Sequence, residues 1–209
     1  MEKLKQELAE GISELGLTVT DQMLGQLLSY LQLLLKWNKT YNLTAVKDIQ
    51  EMVSRHLLDS LAVSPYLEGH TIIDVGSGAG LPGIPLGIIH PDKEFTLIDS
   101  NGKKTRFLFQ AKLELGLGNI TIANERIENF KTEQQVDIVM CRAFSSLSDV
   151  LAKSQQIFSQ KTKLLALKGN YPQEEIENLS AAYQLVSVIK IDLPGANTQR
   201  HLVEVIRKQ

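Results

Sequence analysis

The chain has 209 residues, 43% of them hydrophobic and 22% charged, and carries a net charge of −2. Such values exclude a disordered or fibrous chain and a general coat for polyanions, and they leave room for an α/β core of about 150 residues with a small appendage. The only cysteine, Cys141, cannot form an internal disulfide, the opening MEKLKQELAE lacks the apolar stretch of a signal peptide, and no apolar run reaches the ~18 residues needed to cross a bilayer. The expectation is a cytoplasmic protein that does not enter a membrane.

Up to about Pro65 the apolar residues have helical spacing. Leu4, Leu8, Ile12 and Leu15 share one face of a first helix; Leu24, Leu27, Leu28, Leu31, Leu34 and Leu35 share a face of a second, for which Thr20 is the expected N-cap. A third begins at Asp48, with Glu51 placed to complete a capping box, and runs through MVSRHLLDSLA. These helices form an N-terminal helical appendage, 1–66. From there to residue 209 short β-rich runs alternate with helical stretches: TIIDVG, EFTLIDS, NITIANERI, VDIVMCRAF and TKLLALKG. That alternation predicts βαβ units and a parallel sheet. The last two runs, YQLVSVIKIDLP and RHLVEVIRK, are joined only by Gly-Ala-Asn-Thr-Gln, too short for a crossover helix, so they must be antiparallel. The expected fold is a doubly wound α/β sheet finished by an antiparallel hairpin.

Chemistry concentrates after the first strand, in TIIDVGSGAGLPGIPL. Gly78, Gly80 and Gly83 fit the G-x-G-x-x-G dinucleotide fingerprint; Asp74, Gly76, Gly78 and Gly80 fit the D-x-G-x-G-x-G loop that binds S-adenosylmethionine. In either case the bare glycines let a ligand approach the main chain. Asp74 favours the second reading, because an acid there suits an ammonium and a sulfonium and would repel a pyrophosphate. The terminal hairpin points the same way. Asp99 ends the second strand about 20 residues further on, where a carboxylate can accept ribose hydroxyls, and a cap for the helix near Lys103 is a compatible second role. Ile127 and Glu128 follow the third strand, over the expected place of an adenine.

The fourth strand ends in Cys141-Arg142-Ala143-Phe144, not in the Asn or Asp followed by Pro-Pro and an aromatic with which many amine methyltransferases hold an amino group. A ring nitrogen with a free lone pair needs no such clamp. The context of Cys141 favours a buried structural thiol over a nucleophile. The histidines His56, His70, His90 and His201 are scattered and imply no metal. A helix-surface pair of His56 and Asp59 is one reading, and core packing or capping is the favoured one. KWNKTYNLT interleaves cations with Trp37 and Tyr41, a pattern that stacks on bases or anchors a helix end. Arg126, Arg142, Lys168 and Arg200 fall at the ligand edge of the expected sheet, a local positive rim suited to RNA.

Taken together, LKWNKTYNLT, RHLLDSL, IIDVGSGAGLPGIPL, FTLIDS, CRAF followed by SSL, LALKG and RHLV closely resemble the bacterial glucose-inhibited division protein B family, the small-subunit ribosomal RNA methyltransferases G. The likeness spans nearly the whole chain and is most specific in LPGIPL and YNLT. It implies S-adenosylmethionine as methyl donor and N7 of a guanine in small-subunit ribosomal RNA, free or in a ribosomal particle, as acceptor. It also implies Gly76, Leu81, Ile127, Glu128 and Arg142 as donor contacts. Gly78, Gly80 and Asp99 join them from the loop pattern, and Arg126, Lys168 and Arg200 are the expected RNA contacts. A monomer is expected. A nicotinamide-dependent oxidoreductase and an RNA-binding module without catalysis are the competing readings.

Overall fold

A computed structural model describes residues 2–144, 146–195 and 199–208. Its sheet has seven strands: β1 (Thr71–Val75), β2 (Glu94–Ile98), β3 (Ile120–Ala123), β4 (Ile138–Arg142), β5 (Lys163–Lys168), β6 (Tyr183–Ile191) and β7 (Arg200–Arg207). Their spatial order is β3-β2-β1-β4-β5-β7-β6. The first five are parallel, and β7 pairs antiparallel with both β5 and β6. The hairpin expectation holds, although residues 196–198 of its connecting loop lie outside the described residues.

Alternation along the strands sends side chains to two cores. Ile72, Leu97, Ile138, Met140 and Leu165 pack with the N-terminal helices on one face; Ile73, Val75, Ile98, Val139 and Ala166 pack on the other. The first face is covered by α1 (Glu2–Glu14), α2 (Asp21–Tyr41), α5 (Gly83–Ile89) and α6 (Gly102–Leu115), and the second by α7 (Leu147–Lys153). The short α8 (Gln173–Glu177) follows β5. One continuous apolar cluster contains Leu27, Leu31 and Leu34 of α2 together with Phe107 and Leu108 of α6 and the strands beneath.

Thr20 caps α2 by accepting from the Met23 N–H at 3.2 Å. α2 ends at Asn42, whose left-handed backbone (φ 51°) sends its N–H back to the Asn38 carbonyl. The third helix departs from expectation: α3 (Ile49–Met52) and α4 (Asp59–Leu61) flank a π-turn over Val53–Leu58. Asp48 caps α3 by accepting from Gln50 and Glu51, but Glu51 turns to Arg55 at 3.3 Å and does not close the capping box.

Two polar residues of LKWNKTYNLT, Asn38 and Thr44, are engaged at this junction. The Asn38 side chain accepts from Thr44 N–H and donates to the Val46 carbonyl, and the Thr44 hydroxyl lies 2.8 Å from His56 Nε2. Trp37 stacks on Tyr41 at 5.2 Å and packs against Phe107 at 5.7 Å, so these aromatics anchor the helix end on α6.

Candidate active site

The glycine loop leaves β1 with Gly76, Gly78 and Gly80 all in the left-handed region, at φ 70°, 59° and 86°. The amides of Gly76 and Ser77 both donate to the Ile98 carbonyl, at 2.8 and 3.1 Å, which ties the loop to the end of β2. Asp99 follows directly. Its buried carboxylate accepts from Gly78 N–H at 2.9 Å and Asn101 N–H at 2.8 Å, with Lys104 Nζ 3.6 Å away. Asn101, not Asp99, caps α6. The loop is also held from the helical side, since the fully buried Tyr30 hydroxyl donates to the Ala79 carbonyl at 2.7 Å.

These elements surround a cavity of about 310 Å³, whose walls include Gly76, Asp99, Ile127, Glu128 and Arg142. Arg126 lies on the same rim. Gly78 touches the site through Asp99, whereas Gly80 and Leu81 stand behind the loop: a Cβ on Gly80 would come within 2.5 Å of Ile84 and 2.9 Å of Leu108, so that glycine serves packing. The cavity suits S-adenosylmethionine. Two backbone amides fix the Asp99 carboxylate and leave acceptor capacity for ribose hydroxyls. Buried Ile127 offers an apolar surface to a base, and Gly76 leaves bare a wall that a Cβ would fill toward the Phe144 ring, 3.4 Å from it. Sequence reasoning did not pick out Lys104, Phe144 or Lys153 as cavity residues; Lys153 Nζ lies 5.5 Å from the centre of the Phe144 ring.

Asp74 is corrected. It is fully buried beneath the loop, accepts from Gly83 N–H at 3.0 Å at the start of α5, and is not on the cavity wall. Burial pushes its carboxyl up to about 7, so it is an anchor of the loop and not a partner for a cation. His56 and Asp59 are both buried, in line with the core-packing reading, and do not pair on a helix surface. His56 Nδ1 donates to the Arg55 carbonyl at 2.9 Å, leaving Nε2 to accept from Thr44, and burial holds the ring neutral with a pKa of about 4.

Asp59, almost fully buried, instead binds two arginines that are far away in sequence. Arg142 Nη1 donates to its Oδ2 at 2.7 Å, and Arg200 Nε donates to its Oδ1. Lys168 is paired with Glu175 at 2.8 Å. The structure therefore brings Lys168, Arg200 and Arg142 together and leaves Arg126 on the neighbouring donor rim. Cys141 is buried in β4 with its thiol pushed up to about 12 by burial, which fits a structural role.

A sheet of this order with an antiparallel β7, a glycine loop after β1 and an acid after β2 defines the class of S-adenosylmethionine-dependent methyltransferases. Solved structures share the fold: an Aquifex aeolicus S-adenosylmethionine-dependent methyltransferase (TM-score 0.55, 18% identity, 72% of this chain and 90% of that one) is similar. So is M. capricolum TrmK in complex with S-adenosylhomocysteine (TM-score 0.54, 16% identity, 72% and 68%). The chain belongs to the GidB family, rRNA small subunit methyltransferase G, whose family model matches residues 23–203. Proteins named ribosomal RNA small subunit methyltransferase G are 49% identical in Nitrosococcus oceani (95% of this chain, 92% of that one) and 48% identical in a Marinomonas species (95% and 96%).

Proposed function

We propose that the protein methylates N7 of a guanine in small-subunit ribosomal RNA, with S-adenosylmethionine as donor, in the cytoplasm and as a monomer. The observation that carries the atom assignment is the end of β4. There the donor cavity is bounded by Arg142, Ala143 and Phe144, with no side-chain amide or carboxylate from that segment to hold an amino group. S-adenosylmethionine supplies a methyl group already activated on a sulfonium. Asp99 and Gly76 hold and orient that donor, while Ile127 and Phe144 shield it from water. The N7 lone pair forms the bond to the methyl carbon, the carbon–sulfur pair stays on sulfur, and the positive charge passes to the purine. No proton moves, so alignment supplies the rate and no general base is needed. His56, neutral with both ring nitrogens engaged, agrees with that chemistry.

The assignment of donor contacts to Gly76, Gly78, Asp99, Ile127, Glu128 and Arg142, with Gly80 and Leu81 shaping the loop from behind, and of RNA contacts to Arg126, Lys168 and Arg200, belongs to the same proposal. So does the division into 1–66 and 67–209. It is a division of roles, with the donor held by the second part, because one apolar cluster runs through both. Family membership and the antiparallel β7 weigh against an oxidoreductase. The test is incubation with labelled donor and small subunits from cells lacking the activity, followed by mapping of the modified nucleotide. Label on an exocyclic amine would refute the N7 assignment, and donor binding without turnover would favour a non-catalytic RNA-binding protein.

A further inference from the structure

A second cavity, of about 320 Å³, adjoins the donor cavity, and Arg142 and Ala143 line both. We propose that this second cavity seats the acceptor nucleotide: its base lies against Val46, Ala143 and Leu167, and its phosphate meets Arg55, Lys168 and Arg200. The proposal rests on the methyl-transfer reading and locates where the RNA must enter. In-line transfer needs the reacting atoms about 3–3.5 Å apart before the bond forms, so the acceptor must occupy space contiguous with the donor.

Two spaces satisfy that condition, and charge separates them. The cavity after β5 reaches the donor site through Phe144, but its walls carry Lys168 against both Glu174 and Glu175. A phosphodiester is disfavoured there. The second cavity is lined by Arg55, Arg142, Lys168 and Arg200 and by the carboxylate of Asp59, with His56 neutral; Glu51 and Glu175 pair with Arg55 and Lys168 from outside the lining, and the balance stays positive. Asp59 uses one oxygen for each of two arginines and so fixes the shared wall between the cavities. It is a positioning residue that couples the helical layer to both substrates.

Backbone irregularities gather at the same place. Ala143, on the shared wall, has φ +57°, a left-handed conformation that costs a non-glycine residue energy and is retained where surrounding structure enforces it. Arg55 and His56, which line the same cavity, belong to the π-turn, an irregularity that recurs at functional sites.

Gly169 provides the test. It is exposed, its backbone lies outside the left-handed region, and an added Cβ would meet only Arg200 Nη1, at 3.8 Å. It lines the second cavity and the adjoining cavity after β5 but not the donor cavity, so Arg55, which lines only the second, decides between those two. Gly169→Leu should fill the cavity beside Arg200 and lower methyl transfer to undermethylated small subunits by about 100-fold, the scale of a misplaced reactant. S-adenosylhomocysteine affinity by calorimetry and the melting temperature should stay at wild-type values. Wild-type transfer by Gly169→Leu would overturn the proposal. Arg55→Ala, a change at an exposed side chain paired only on the surface with Glu51, should weaken binding of a short guanine-containing RNA and lower its salt slope by about one unit. An unchanged slope would likewise count against the site. If RNA binding is lost in both variants while the wild-type protein transfers no methyl group, the nucleotide site stands and the methyl-transfer reading falls.

Discussion

Asp99 and Asp59 show how differently two buried carboxylates can be used. Asp99 is held by backbone amides and keeps free acceptor capacity at the cavity, so Asp99→Asn should weaken donor binding by about 1–3 kcal/mol, read by calorimetry, with the fold retained. Asp59, almost fully buried, holds a guanidinium on each oxygen. Asp59→Asn leaves two partly exposed guanidiniums beside a neutral amide and should cost about 2–3 kcal/mol in denaturant unfolding, somewhat below the ~3–5 of a fully buried pair. The same difference separates two cations read alike in the sequence. Arg126 is exposed, so Arg126→Ala should leave the melting temperature unchanged while lowering the salt slope of RNA binding by about one unit. Arg200→Ala should lower both, because Arg200 also anchors Asp59.

Among the elements, α2 governs the glycine loop. Tyr30→Phe would strand the buried Ala79 carbonyl and should cost about 1–3 kcal/mol, with faster hydrogen exchange in the loop that binds the donor. β1 and the π-turn hold a pair of opposed proton sites. Burial raises Asp74 to about 7, so its stabilising contribution is complete below its ordinary 3.8 and gone once pH rises through about 7. Burial lowers His56 from 6.5 to about 4, so its contribution is complete above 6.5 and lost as pH falls through about 4. Between those values the folded chain holds one more proton at Asp74 and one fewer at His56 than the unfolded chain, and slopes of about 1.4 kcal/mol per pH unit cancel. Relative to wild type, Asp74→Asn should lose stability on acidification from pH 6.5 to 4.5, and His56→Gln should gain it. Parallel urea curves for all three proteins would refute these assignments.

At the scale of the whole molecule, the shared apolar cluster makes the helical layer part of the sheet's foundation. Residues 67–209 alone would expose the surfaces of α5 and α6 that α2 covers, and should show neither a cooperative thermal transition nor dispersed side-chain signals while binding a hydrophobic dye. A cooperative transition in that fragment would show that the layer is separable. The sequence by itself determined the strand runs, the terminal hairpin, the glycine loop and the acid after β2, because these follow from local periodicity, turn chemistry and short spacings. It also placed Arg142, Lys168 and Arg200 at one sheet edge, because βαβ topology carries strand ends to the same side. Only the tertiary structure decided that Asp74 lies under the loop, that Gly80 serves packing, and that Asp59 joins Arg142 and Arg200 across 83 and 141 residues of chain. Burial and partnership at that separation depend on how helices cover a sheet, and no local spacing in a sequence records which side chain will meet which once water is excluded.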